Sequence, residues 1–166
     1  MKSQLKAVLL NGASSSGKST LAKSLQEYIK GSRKEEYIIT SIDDFLKMTA
    51  DEPIYEDDVF DISPLLCQKA LNALKNGQGV IIDHVITSER IYKQLTEALK
   101  EHALLKVQTV CPLNELEKRE KERNNRCVGS AKASFEYLYP KTGYDLVLNT
   151  FELTSGECVK KICELL

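Results

Sequence analysis

Long apolar runs are missing from this sequence. The longest are pieces such as Ala7–Leu10 and Val80–Ile82, whereas about 20 apolar residues are needed to cross a bilayer, so a membrane-spanning chain is excluded. The stretch Met1–Asn11 has two lysines, only about four consecutive apolar residues and no small-residue cleavage site after it. A secretory leader needs about seven, so a cytoplasmic location is expected. Cysteine is scarce: Cys67, Cys111, Cys127, Cys158 and Cys163 are odd in number, scattered, and form no C-x-x-C pair. That argues against a disulfide scaffold or a zinc site and for reduced thiols. An excess of one charge sign is absent too, with 23 Lys plus Arg against 24 Asp plus Glu. No overall field therefore draws the chain to nucleic acid or an anionic membrane. Low-complexity tracts, repeats and Gly/Ser/Pro linkers are also lacking, so one domain over residues 1–166 is expected.

What is present fits a soluble protein with a core: 166 residues, 42% hydrophobic and 28% charged. Leu5–Asn11 reads as a buried strand, followed by a glycine-serine loop and a helix over about Lys18–Lys30, with Leu21, Leu25 and Ile29 on one face. Tyr37–Ile42 is β-branched and aromatic and reads as the second strand. Residues 46–60 carry no clear period. Ser63 and Pro64 then look like the cap and first residue of a helix that ends at Gly77. Gly79–Asp83 is the third strand, Ser88–Lys100 helical, Leu104–Val110 the fourth strand. Pro112 opens a helix expected to reach about Arg126, and Ala131–Leu138 is helical up to Pro140. Asp145–Asn149 and Ser155–Leu165 close the chain as strand and helix. Apolar strands separated by helices imply a parallel sheet covered on both faces, an open, doubly wound α/β fold.

The residues that carry chemistry begin with Gly12-Ala13-Ser14-Ser15-Ser16-Gly17-Lys18-Ser19, a match to the phosphate-loop pattern G-x-x-x-x-G-K-[ST] lying between a strand and a helix. Glycines let backbone N–H groups turn inward around phosphate oxygens, and the helix N-terminus adds partial positive charge. This pattern expects Lys18 to reach the β- and γ-phosphates of a nucleotide and Ser19 to place its hydroxyl on Mg²⁺. Thr20 and Ser14–Ser16 support the loop. Asp43 and Asp44 follow the second strand at the edge where open α/β sheets gather ligands. Asp43 reads as an acceptor for a hydroxyl proton and Asp44 as a turn or cap residue. Asp83 closes the third apolar strand, a position from which a carboxylate meets Mg²⁺ or its waters. His84 next to it reads as structural.

Three of the five arginines, Arg119, Arg123 and Arg126, fall at i, i+4, i+7. On one helix face they would form a phosphate-gripping lid, catalytic at Arg123 and Arg126 and cofactor-binding at Arg119 and Arg123. The competing account is a solvated face with the i, i+4 pairs Glu115–Arg119 and Glu122–Arg126. Residues 51–61 hold six acids, Asp51, Glu52, Glu56, Asp57, Asp58 and Asp61. They read either as a solvated loop or as a rim for a cationic acceptor.

In order and spacing, Leu10–Ser19, Ile42-Asp43, Ile81–Asp83, Arg119-Glu120 to Arg126 with Gly129, and Tyr144-Asp145 leading to Thr150 resemble the chloramphenicol phosphotransferase-like family of P-loop kinases over most of the chain. The resemblance implies the kinase strand order 2-3-1-4-5 and transfer of the γ-phosphoryl group of ATP to an acceptor hydroxyl. By the same resemblance Asp43 matches the family's proposed base, and a lid around 113–138 closes the site. Two features depart from the family's antibiotic kinase, which has a second aspartate where His84 stands and no match to the acidic stretch.

The leading expectation is an ATP- and Mg²⁺-dependent small-molecule O-phosphotransferase, with an antibiotic among the possible acceptors. Its catalytic residues are Lys18, Asp43, Arg123 and Arg126, and its metal-side residues Ser19 and Asp83. A nucleoside or metabolite kinase is the alternative enzyme, and a nucleotide-dependent switch the alternative of another class. Asp83 lacks the D-x-x-G continuation and no N-K-x-D motif occurs, which speaks against a GTPase switch.

Overall fold

A computed structural model describes residues 6–47 and 49–166; Leu5, expected to open the first strand, lies outside them. Strand β1 (Ala7–Gly12) is followed by α1 (Lys18–Arg33), β2 (Tyr37–Ser41), a 3-10 turn (Ile42–Asp44) and α2 (Glu56–Lys75). Then come β3 (Gly79–His84), α3 (Glu89–Ala98), β4 (Leu104–Val110), α4 (Leu113–Arg123), α5 (Ser130–Tyr137), β5 (Leu146–Asn149) and α6 (Ser155–Cys163). The sheet has five parallel strands in the order β2-β3-β1-β4-β5, the order that the resemblance implies. The five cysteines are free thiols, four of them buried.

The period-2 geometry of the strands divides the core into two layers. Val8 and Leu10 of β1 face Leu21, Leu25 and Ile29 of α1 and Val159 and Ile162 of α6. Ala7 and Leu9 face the other way, into Leu66 and Ala70 of α2 and Ile91 and Leu95 of α3. Each fully buried leucine or isoleucine contributes about 1.5–3 kcal/mol, and all six residues of β1 and of β3 are buried. Coverage thins toward β5: in β4 only alternate residues are buried, and Lys106 and Gln108 are partly exposed, so this end of the sheet is not covered equally on both faces. Register places Ser41 beside Asp83 and Asn11 beside His84. The carboxyl ends of β1, β2 and β3 thus form one edge, and the helix-forming segments that follow them carry the functional side chains.

Two boundaries differ from the expectation, each with consequences. Helix α2 begins at Glu56, seven residues before Ser63, because Glu56, Asp57 and Asp58 place three carboxylates in its first turn, where the helix dipole favours them. Ser63 is buried inside the helix rather than capping it, and Pro64 sits exposed in the interior. Helix α4 ends at Arg123, where Asn124 turns left-handed at φ 55°. Asparagine tolerates that conformation, so Arg126 leaves the helix and the supposed i, i+7 face is broken. Helices α4 and α5 are separated by residues 124–129. Pro64 lacks the N–H that would donate to the carbonyl of Phe60. Pro64→Ala should therefore stabilise the protein by about 1–3 kcal/mol in urea unfolding; if Pro64 were the first residue of the helix, the same change would destabilise.

Candidate active site

The loop between β1 and α1 wraps Lys18, which is only 5% exposed. Its ammonium donates to the carbonyl of Ala13 at 2.9 Å and to Ser16 Oγ at 3.4 Å, with no carboxylate in contact. Burial pulls its pKa below the usual lysine value, and the nearby charges of Asp83 and Asp43 act in the opposite direction. The two glycines of the loop serve different needs. Gly17 is left-handed at φ 90°, a conformation that costs a side-chain-bearing residue about 1–2 kcal/mol. At Gly12 a Cβ would overlap the Thr109 hydroxyl and stand 2.6 Å from the Thr109 carbonyl and 2.9 Å from Ser16 Oγ. Ser15 is also left-handed, at φ 70°. Helix α1 has no side-chain cap at Gly17, which leaves its first N–H groups free for an anion.

Neighbouring elements pin this loop. Ser16 Oγ shares a 2.8 Å hydrogen bond with Thr109 Oγ1, and the Thr150 hydroxyl donates to the Ser16 carbonyl at 2.6 Å. The Ser14 N–H donates to Ser134 Oγ of α5 at 2.9 Å. Ala13 packs with Cys111, Leu116 and Ala131, which joins both lid helices to the loop. The loop is thus held from the sheet and from α4 and α5.

Opposite the ammonium lie the carboxylates. Asp83, 5% exposed, accepts from the Ser19 hydroxyl at 2.7 Å and from Ser41 at 3.3 Å. Asp43 stands in the 3-10 turn and accepts from Arg126 at 2.7 Å. Asp44 accepts the Ser41 N–H in a capping box, which settles it as a cap residue. His84 lies in β3 one residue beyond Asp83 and therefore on the opposite face of the strand. It is fully buried, its nitrogens have no hydrogen-bond partner among the described residues, and burial pushes its pKa down to about 3. It is a neutral core histidine.

From α4, Arg119, paired with Glu115 at 3.2 Å, also donates to the carbonyls of Ser15 (3.4 Å) and Thr150 (3.5 Å), and Arg123 donates to Ser15 Oγ (3.4 Å). The contacts to Ser15 and Thr150 are long and to neutral oxygens. Lys18, Arg119, Arg123 and Arg126 line one cavity of about 1090 Å³ together with Ser19, Asp43 and Asp83. Its lining also includes the apolar or aromatic side chains of Leu46, Ile54, Tyr55, Val59 and Tyr137. Of the six acids at 51–61 only Glu56 reaches the cavity. Glu56 is paired with Arg90 and accepts the Ser88 hydroxyl, and the Arg90 bonds hold its pKa down at about 2. Asp57 also pairs with Arg90.

The family model described as chloramphenicol phosphotransferase-like protein matches residues 5–166. The chain belongs to that family. No curated protein sequence matches it. Among solved structures, this family member resembles the Mycobacterium tuberculosis APS kinase CysC in complex with AMPPNP and APS at TM-score 0.79 and 20% identity, covering 98% of this chain and 97% of that one. A gluconokinase from Sinorhizobium meliloti aligns at TM-score 0.67 and 17% identity, with 94% and 88% covered. A Deinococcus radiodurans tunicamycin resistance protein does so at 0.69 and 17%, with 98% and 95% covered. At such identities the likeness is one of fold. Family and fold together place the protein among the small-molecule P-loop kinases.

Of the residues singled out in the sequence, the cavity is lined by Ser14, Ser15, Gly17, Lys18, Ser19, Thr20, Asp43, Asp83, Arg119, Arg123 and Arg126, whereas Gly12, Ala13 and Ser16 of the same loop and the cap residue Asp44 are not among its lining. Sequence reasoning missed Thr109 and Ser134, and it named Glu120 only within the family motif, without a role. The Glu120 carboxylate, 4% exposed, accepts the N–H groups of Gly129 (3.2 Å) and Ala131 (2.8 Å) and so fixes the turn between α4 and α5. Its partners are backbone groups nine and eleven residues on, which leave no side-chain signature. Gly12→Ala would force Thr109 and Ser16 apart. It should cost about 1–3 kcal/mol by overpacking and abolish nucleotide binding, read by thermal melts with and without MgATP; a melt and ligand response unchanged from wild type would contradict the packing described.

Proposed function

We propose that this protein is an ATP-dependent O-phosphotransferase that moves the γ-phosphoryl group of ATP to a hydroxyl of a small molecule. The observation that carries this reading is the buried Lys18 ammonium, whose hydrogen-bond partners are the neutral oxygens of Ala13 and Ser16, lining one cavity with Arg119, Arg123 and Asp43. Buried positive charge with so little compensation is costly unless an anion completes it. The loop geometry of Gly12–Thr20 fits phosphate.

In this reading Gly12–Ser19 and Lys18 bind the phosphate chain, while Arg119 and Arg123 grip it from the lid. Asp43 orients the acceptor hydroxyl and takes its proton as the oxygen bonds to the γ-phosphorus and the bond to the bridging oxygen of ADP breaks. Lys18, Arg123 and Arg126 hold the charge that spreads over the transferring group. Ser19 and Asp83 are a hydroxyl and a carboxylate in mutual hydrogen bond, a hard-oxygen pair that suits Mg²⁺. Among the described residues no cluster of three metal-ligating side chains occurs, which agrees with an ion that relies on phosphate and water for its other ligands. When bound, Mg²⁺ neutralises charge between adjacent phosphates.

The acceptor follows from the apolar part of the lining. Glu56 is neutralised by Arg90 and its neighbours are apolar, so a neutral hydroxylated compound with an apolar body fits better than the cationic one that the acidic stretch suggested. Antibiotics with free hydroxyls belong to that class. We read the chain as a single kinase domain with its lid in α4 and α5. No described helix is long and apolar enough to cross a membrane, and a cytoplasmic site would supply MgATP.

Incubation of the protein and MgATP with a library of neutral and cationic hydroxylated compounds, read by mass spectrometry, should show addition of one phosphoryl group to neutral members. Modification of cationic members alone would overturn the acceptor assignment, and ATP binding with no product from any member would overturn the kinase reading. With an acceptor in hand, Asp43→Asn should lower kcat by about 100-fold or more without weakening ATP binding. Arg123→Ala should lower kcat by about 1000-fold with little effect on the melting temperature; unchanged turnover would return α4 to the role of a solvated helix.

A further inference from the structure

Of the three arginines that line the cavity, α4 carries Arg119 and Arg123, but no regular element carries Arg126. It lies in the segment 124–129, between the left-handed Asn124 and the left-handed Gly129. Backbone outside a helix or strand has more conformational freedom to lose, so an arginine there needs something else to hold it. Its side chain is nevertheless 9% exposed and donates at 2.7 Å to Asp43. One residue closes the segment at both ends. The main-chain carbonyl of Glu120 accepts the Asn124 N–H at 3.4 Å, and its carboxylate accepts the N–H groups of Gly129 at 3.2 Å and of Ala131 at 2.8 Å. That carboxylate belongs to a residue only 4% exposed, and its hydrogen bonds among the described residues go to backbone rather than to a cation. Charge-assisted bonds of this kind are stronger than neutral ones and offset part of the desolvation of the carboxylate.

We propose that Glu120 is the positioning residue for Arg126: its carboxylate fixes the backbone of 124–129 so that the Arg126 guanidinium reaches the cavity. This rests on the reading that Arg126 and Asp43 act in phosphoryl transfer. Glu120 is not among the residues that line the cavity, so it acts through the turn and touches neither nucleotide nor acceptor. All three of its bonds lie within residues 120–131; they move with α4 and α5 as one unit and hold wherever that unit sits over the phosphate loop. Arg123 needs no such support, because α4 itself places it. A plainer role would make Glu120 only an anion at the N-terminus of α5, where the helix dipole favours one. Stability would then depend on it, but the contribution of Arg126 to turnover would not.

Double-mutant cycles on the full chain separate the two roles. Turnover is read as ADP formed from MgATP with the neutral compound that the screen shows to be phosphorylated, and nucleotide affinity by calorimetry with AMPPNP and Mg²⁺. Glu120→Gln keeps the size of the side chain but turns an amide donor toward one of the two N–H groups. It should lower kcat by about 100-fold, the effect of a small misplacement of a catalytic group, and leave AMPPNP affinity within about threefold of wild type. Added to Arg126→Ala it should change nothing further, with kcat within about twofold of the single Arg126→Ala variant, because its effect runs through a guanidinium already removed. Added to Arg123→Ala the two losses should multiply. Losses that multiply with Arg126→Ala, or a kcat of Glu120→Gln within about twofold of wild type, would overturn the positioning role. Should Glu120→Gln fail to fold, Gly129→Ala decides in the same cycles: it disturbs the same turn through its φ of 95°, while its Cβ meets no neighbour. Absence of product from wild type with every compound would overturn the kinase reading and the role of Glu120 with it, whereas product together with multiplied losses removes the role of Glu120 alone.

Discussion

Positive charge buried without an anion is the constraint that organises this molecule. Lys18 lies buried at the loop and meets only a carbonyl and a hydroxyl, while Arg119 of α4 is paired with Glu115 and Arg123 is exposed and reaches Ser15 Oγ. Desolvation of a cation costs several kcal/mol and neutral oxygens offset only part of it. The fold supplies what tolerance it can: Asp83 and Asp43 stand near enough to raise the proton affinity of Lys18 against the effect of burial. In the proposed function a phosphate chain completes the balance.

The hydrophobic scaffold makes such a site affordable. β1 and β3 are buried along their whole length, and the register of Ser41 with Asp83 fixes where the carboxylates emerge relative to the loop. Thr109 and Thr150, at the ends of β4 and β5, tie the loop to the same edge. Asp83 therefore sits at a strand end, Asp43 in the turn that follows β2 and Lys18 and Ser19 in the first turn of α1, while Arg119 and Arg123 sit on α4 and Arg126 just beyond it. This division matches chemistry in which positioning and electrostatics do most of the work.

Much of this was legible in the amino-acid sequence because it rests on local rules. The five strands are short apolar runs, α1 repeats its apolar residues four apart, and the phosphate loop has a residue pattern that few other structures need. Asp43 and Asp83 could be placed because a residue that ends a parallel strand must lie at the ligand edge. What escaped depends on contacts between distant segments or on competition between local signals. Ser63-Pro64 mimics a helix start, yet three carboxylates upstream win the helix N-terminus. The arginine spacing imitates one helix face, yet Asn124 ends the helix and sends Arg126 to Asp43. The acidic stretch looked like a rim because its partner, Arg90, lies some thirty residues away. Glu120 speaks only to backbone N–H groups.

Calorimetric titration of the wild-type protein and of Lys18→Ala with AMPPNP and Mg²⁺ tests the central claim most directly, because it needs no knowledge of the acceptor. The account predicts one nucleotide per chain for wild type and an affinity lower by about 10- to 100-fold in Lys18→Ala, the worth of a buried charge-assisted contact, with the fold of the variant intact. Absence of binding to wild type, or equal affinity in the variant, would contradict the assignment of the Lys18 cavity to phosphate.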